Sequence, residues 1–132
     1  MRFTIDRLDH LVITCADIEK TASWYQRVLG MEREEFDENR RTALKFGGQK
    51  LNLHQVGREV MPNAAQAAVG TQDLCFIAAI DAEVVMAHLK ECGVAIELGP
   101  VAQTGALGPM MSVYCRDPDG NLIEVASYLT VE

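Results

Sequence analysis

Apolar and polar residues alternate along this chain in short runs, and two stretches switch to the 3.6-residue period of an amphipathic helix. Residues 8–14 read as a strand carrying His10. Asp17 then caps a helix whose apolar positions are Ile18, Ala22, Trp24, Tyr25, Val28 and Leu29, and Gly30 ends it. Residues 31–36 and 42–46 are strands joined by the turn Asp37-Glu38-Asn39-Arg40. Gly47-Gly48 turns the chain into a strand over 50–56 that carries His54. Residues 57–71, alanine-rich with Pro62 and Gly70, lack a period and read as a linker. The order then recurs. A strand over 73–79 precedes a helix capped by Asp81, with apolar positions Val84, Val85, Leu89 and Cys92, that stops at Gly93. Residues 94–98 form a strand, 99–109 a glycine-rich loop, and 110–115 with 121–127 a final hairpin. Its turn is Asp117-Pro118-Asp119-Gly120, and Glu124 interrupts the apolar run that follows.

The chain is thus βαβββ twice. Aligning Gly30 with Gly93 superimposes the helices and sets 9–13 on 73–77 to within one residue. The repeat predicts an α+β fold: two βαβββ modules forming a curved, barrel-like mixed sheet with the helices outside. Module one covers about 7–56, the linker 57–71 and module two about 72–130, in one domain.

Charge and composition narrow the partners. A net charge of −7 disfavours nucleic acid and anionic membrane surfaces as partners. No apolar run is long enough to span a bilayer, and the first residues lack the apolar core of a signal peptide. Cys15, Cys75, Cys92 and Cys115 show no CxxC spacing and read as small buried hydrophobes, consistent with a reducing cytoplasm.

The repeat gathers the polar residues into a constellation. Equivalent positions on the first and fourth strands of each module hold His10, His54, Leu74 and Glu124. A buried carboxylate needs a partner. Arg40, Arg41 or Lys45 could pair with Glu124, but two histidines at related positions point to a divalent metal held by His10, His54 and Glu124. Imidazole and carboxylate suit Zn, Ni, Mn, Co or Fe(II), with positions left open for substrate. Asp9 and Asp73 read as structural, and His88 as solvated. Asn52, Ser112 and Tyr114 are candidates to line the cleft, with Met110 and Met111 in its wall. The loop 99–109 is either a substrate lid or a static connector.

Several motifs carry a family resemblance: Leu8-Asp9-His10-Leu11-Val12, Trp24-Tyr25 through Leu29-Gly30-Met31, Leu51-Asn52-Leu53-His54, and Asp117-Pro118-Asp119-Gly120-Asn121-Leu122-Ile123-Glu124. Together they resemble the vicinal oxygen chelate superfamily of glyoxalase I, bleomycin- and fosfomycin-resistance proteins, methylmalonyl-CoA epimerase and extradiol dioxygenases. Gly70-Thr71-Gln72-Asp73-Leu74-Cys75-Phe76-Ile77 and the stretch 99–106 are similar to the subgroup called glyoxalase domain-containing protein 5. The resemblance implies paired βαβββ modules, homodimers, and a divalent metal chelating two neighbouring oxygens of a small-molecule substrate. It implies His10 and Glu124 as ligands, places His54 where bacterial glyoxalase I has a glutamate, and leaves Leu74 in a histidine's place. Glu124, or a metal-bound water, is then the proton acceptor of a lyase or isomerase related to lactoylglutathione lyase. A dioxygenase uses the same platform. A metal-free protein that sequesters a drug, as bleomycin-resistance proteins do, is the alternative.

Overall fold

The computed structural model describes residues 1–129 of the chain. Contacts divide it into two compact units, Met1–Val69 and Gly70–Glu132, so residues 57–69 go with the first unit. The first contains β1 (His10–Cys15), α1 (Ile18–Leu29), β2 (Glu32–Phe36), β3 (Arg41–Phe46) and β4 (Gln49–Gln55). The second contains β5 (Asp73–Ile77), α2 (Ala82–Glu91), β6 (Leu98–Gly105), β7 (Gly108–Arg116) and β8 (Leu122–Tyr128). Each unit is βαβββ, and each holds one four-stranded mixed sheet, ordered β1-β4-β3-β2 or β5-β8-β7-β6. First and fourth strands pair in parallel, and the remaining pairs are antiparallel hairpins.

Helix α1 forms where the sequence places it. Asp17 Oδ1 accepts from Lys20 N at 3.2 Å, and Gly30 closes the helix at φ 66, a left-handed value that suits glycine. The helix buries Thr21, Ala22, Trp24, Tyr25 and Val28. Alternate strand residues, Ile13, Cys15, Leu44, Leu51 and Leu53, form the buried layer of the same unit. Helix α2 buries Ala82, Val85 and Leu89, beside Val113, Cys115, Ile123 and Val125. Among the described residues no helix is long and apolar enough to cross a membrane.

The stretch 94–109 departs from its sequence reading. Residues 94–97 are not a strand, whereas most of the expected glycine-rich loop is β6 and the start of β7, reversed at Ala106-Leu107. Glycine here serves close approach within a ladder. A Cβ on Gly99, at φ +128, would lie 2.7 Å from the Ser112 carbonyl oxygen.

The expected tight turn before β8 is a five-residue loop tied by buried side chains. Asp117 Oδ1 accepts from Asp119 N at 2.9 Å and from Asn121 N at 3.0 Å, while Asn121 Nδ2 donates to Asp117 Oδ2 at 2.7 Å. Asn121 Oδ1 in turn accepts from Gln72 N at 2.8 Å, just ahead of β5. The motif therefore joins the start of β8 to the start of its parallel partner.

Candidate functional site

Each sheet has one face under its helix and one turned away from it, and partners identify which side chain takes which. In the first unit, Gln55 Oε1 accepts from Ile18 N at the start of α1, and Arg33 pairs with Glu19 of α1 at 2.6 Å. Residues 51, 53 and 55 of β4 therefore lie on the helix side, and Lys50, Asn52 and His54 on the other. Lys50 Nζ and Arg41 Cζ lie 3.7 and 4.9 Å from the centroid of the Phe36 ring, which places all three on that second face with His54. In the second unit Ser127 Oγ donates to the Ile80 carbonyl beside α2, so odd residues of β8 face the helix and Glu124 faces away.

The ladders then match the modules residue by residue. Lys50 N donates to Asp9 O at 3.3 Å, and Leu122 N donates to Gln72 O at 3.0 Å. His10 stands opposite Lys50, and Asp73 opposite Leu122. Two residues further, Asn52 is opposite Val12 and Glu124 opposite Cys75. The four related positions are therefore His10 and Asn52 in the first unit, and Asp73 and Glu124 in the second.

This corrects two expectations. Leu74 is opposite Ile123, on the helix face, so it does not occupy the slot matched to His10; Asp73 does, with no bulge needed. His54 is opposite Thr14, four residues along the ladder from the partner of His10, a separation of about 13 Å. The structure does not bring His10 and His54 together, and Asn52 takes the place matched to Glu124. Among the described residues no three His, Cys, Asp or Glu side chains are grouped to hold a metal ion.

Glu124 nonetheless has company. Ser112 Oγ donates to Glu124 Oε2 at 2.6 Å, and Tyr114 and Cys75 stand opposite it on the neighbouring strands. Burial first, and then Glu124, pushes the Cys75 thiol up to about 11 and raises the Tyr114 phenol. The Ser112 hydroxyl gives this half-buried carboxylate a donor within the sheet. Cys75 is exposed, unlike the buried Cys15 and Cys115, and its role here was not read from the sequence. Its signal was the alternation that sets Asp73, Cys75 and Ile77 on one face.

In the first unit the donors are arranged differently. His10 Nδ1 lies 2.8 Å from Asp9 Oδ1, a carboxylate–imidazole pair that fixes the ring and leaves Nε2 free. Asn52 is 4% exposed, and its Oδ1 is buried without a hydrogen-bond partner. His54, 5% exposed, has Nε2 3.4 Å from Arg41 Nη2 and an unpartnered Nδ1. A guanidinium only donates, so Nε2 is the acceptor and Nδ1 carries the proton. Burial, then the charge of Arg41, depresses the His54 pKa, against the opposing pull of Glu59.

The profile of the Glyoxalase/Bleomycin resistance protein/Dioxygenase superfamily matches residues 7–125, and the chain belongs to that family. It is 49% identical over 127 residues to the glyoxalase domain-containing protein RDO1 of Mycosarcoma maydis, covering 96% of this chain and 71% of that protein. It is 46% identical to the virulence protein STM3117 of Salmonella typhimurium, covering 98% and 89%. The solved structure of an integron cassette protein from V. cholerae superimposes with a TM-score of 0.94 at 50% identity, over 98% of this chain and 100% of that one. A lactoylglutathione lyase from Agrobacterium tumefaciens (TM-score 0.72, 23% identity, 94% and 95% covered) shares the fold. So does the antibiotic-binding TnmS3 from Streptomyces (TM-score 0.74, 20% identity, 97% and 100% covered).

Proposed function

We propose that the chain is a divalent-metal-dependent enzyme of the glyoxalase type, acting on a small molecule that offers two adjacent oxygens. One observation carries this reading: the matched ladder positions hold His10 and Asn52, and Asp73 and Glu124, all nitrogen or oxygen donors. The donor chemistry fits such an ion. His10 is oriented by Asp9 with Nε2 free, and Asn52 Oδ1 is a buried amide oxygen lacking a partner. When bound, the ion would polarise a substrate carbonyl as a Lewis acid. Glu124, positioned by Ser112, would hold the proton removed from the substrate carbon and return it. Bacterial lactoylglutathione-lyase-like isomerisation is one reaction of this class, and extradiol-type ring cleavage is another.

A metal-free binding protein is the second reading, favoured by the neutral Asn52 at the position matched to a carboxylate. Metal analysis of purified protein supplied with Ni, Zn, Mn and Fe(II) separates the two. About one equivalent per chain is expected, lost in His10→Ala and kept in His54→Gln. Equally little metal in wild type and His10→Ala sinks the enzyme reading. Isomerisation of the methylglyoxal–glutathione hemithioacetal then tests the lyase reading specifically.

A further inference from the structure

The arginines of this protein are not equally satisfied. Arg33 places two guanidinium nitrogens on Glu19 at 2.6 and 2.7 Å, and Arg116 places two on Glu97 at 3.0 and 2.9 Å. The Arg41 side chain is only 26% exposed, yet its ion pair with Asp37 spans 3.8 Å, beyond hydrogen-bond distance. Its other neighbours are His54 Nε2 at 3.4 Å and the ring of Phe36. A half-buried guanidinium whose one carboxylate, Asp37, stands beyond hydrogen-bond distance keeps donors available for another oxyanion.

A second cation shares the ring. Lys50 Nζ sits 3.7 Å from the Phe36 centroid, closer than Arg41 Cζ at 4.9 Å. Two like charges on one aromatic ring repel, and an anion between or beside them relieves that repulsion. Glu34 on this face is already held by Lys45 at 3.2 Å. The same face carries the two buried polar atoms without partners, Asn52 Oδ1 and His54 Nδ1. A proton donor and an acceptor, each nine-tenths buried and unsatisfied, cost free energy unless a ligand or water completes them. In a chain of net charge −7 this concentration of cations is a local device, since the overall field repels anions.

We propose that this part of the first sheet is an oxyanion subsite: Arg41 and Lys50, over Phe36, receive a carboxylate or phosphate group of a small molecule. His54 Nδ1 completes its hydrogen bonding to a neighbouring polar group of that molecule. The subsite gives the substrate of the reading above an acidic group, and it rests on that reading only for calling the molecule a substrate. Oxyanion binding itself needs no metal.

The test titrates the full chain, stripped of metal by a chelator, with sodium acetate or sodium phosphate against sodium chloride at constant ionic strength. Side-chain NMR signals of Arg41 and His54 report binding. A saturable shift with acetate assigns a carboxylate, and one with phosphate assigns a phosphate group. Dissociation constants rise about tenfold or more in Arg41→Gln and in Lys50→Met. They stay unchanged in Arg116→Gln, whose guanidinium serves Glu97. Lys50→Met carries the test if Arg41→Gln folds poorly. No saturable response to either oxyanion, or unaltered binding in Lys50→Met, overturns the subsite. Failure of the metal reading shows separately, as low metal content in wild type with oxyanion binding intact.

Discussion

Ser112 donates its hydroxyl to Glu124 Oε2 at 2.6 Å, diagonally across the β7–β8 ladder, in which Tyr114 stands directly opposite Glu124. The bond fixes one carboxylate oxygen and so orients the other. Ser112 is itself fully buried. Ser112→Ala is expected to lower divalent-metal affinity about tenfold, as loss of a ligand's outer hydrogen bond does. It is also expected to destabilise the fold by about 1–3 kcal/mol. Calorimetric metal titration and urea unfolding read the two effects separately; unchanged metal affinity would remove Glu124 from the proposed donor set.

Cys75 is exposed but its thiol is pushed up to about 11, by burial first and by Glu124 second. It is therefore almost wholly protonated at pH 8 and should react slowly with iodoacetamide, because the thiolate is the nucleophile. Glu124→Gln takes away the negative charge, lowers the thiol pKa and speeds the reaction. Site-resolved mass spectrometry over time checks the order; faster labelling in wild type would contradict it.

His54 is held neutral in the folded state, its pKa depressed chiefly by burial and then by Arg41. The unfolded chain binds the proton more readily, so stability falls as pH drops from above the ordinary histidine value of about 6.5 toward the depressed folded value. The contribution is fully present above that range. His54→Gln should flatten the pH dependence of denaturant unfolding between pH 7.5 and 5.5, and an unaltered slope would exclude His54 as its source.

Asn121 is fully buried and bonds both Asp117 and the backbone of Gln72. Asn121→Ala leaves Asp117 Oδ2 and Gln72 N without those partners. A loss of about 3 kcal/mol in unfolding free energy is expected. A much smaller loss in chemical denaturation would show that water replaces the side chain.

The element order and the duplication were legible in the sequence, because amphipathic periods and caps are local. The assignment of slots was not. His10 and Asp73 precede the helix-closing Gly30 and Gly93 by the same interval, and Asn52 and Glu124 follow Gly48 and Gly120 by the same interval. Both equivalences were present in the glycines. Matching Asp9 with Asp73 moved the register by one residue, and in a strand one residue exchanges the faces. Leu74 thereby seemed to fill a donor position; on the fourth strand the shift was two residues, which keeps the face, and it set His54 in the place of Asn52.

The sequence by itself determined two βαβββ modules, the Asp17 and Gly30 caps of α1, and the candidacy of His10 and Glu124, since these follow from local pattern and repetition. Only the tertiary structure decided that Asn52 is matched with Glu124 and Asp73 with His10. It also showed that Ser112 donates to Glu124, and that Arg41 and Lys50 meet over Phe36. Those relations are set by register and by which face a side chain takes. Hydrogen bonding between strands distant in sequence fixes both.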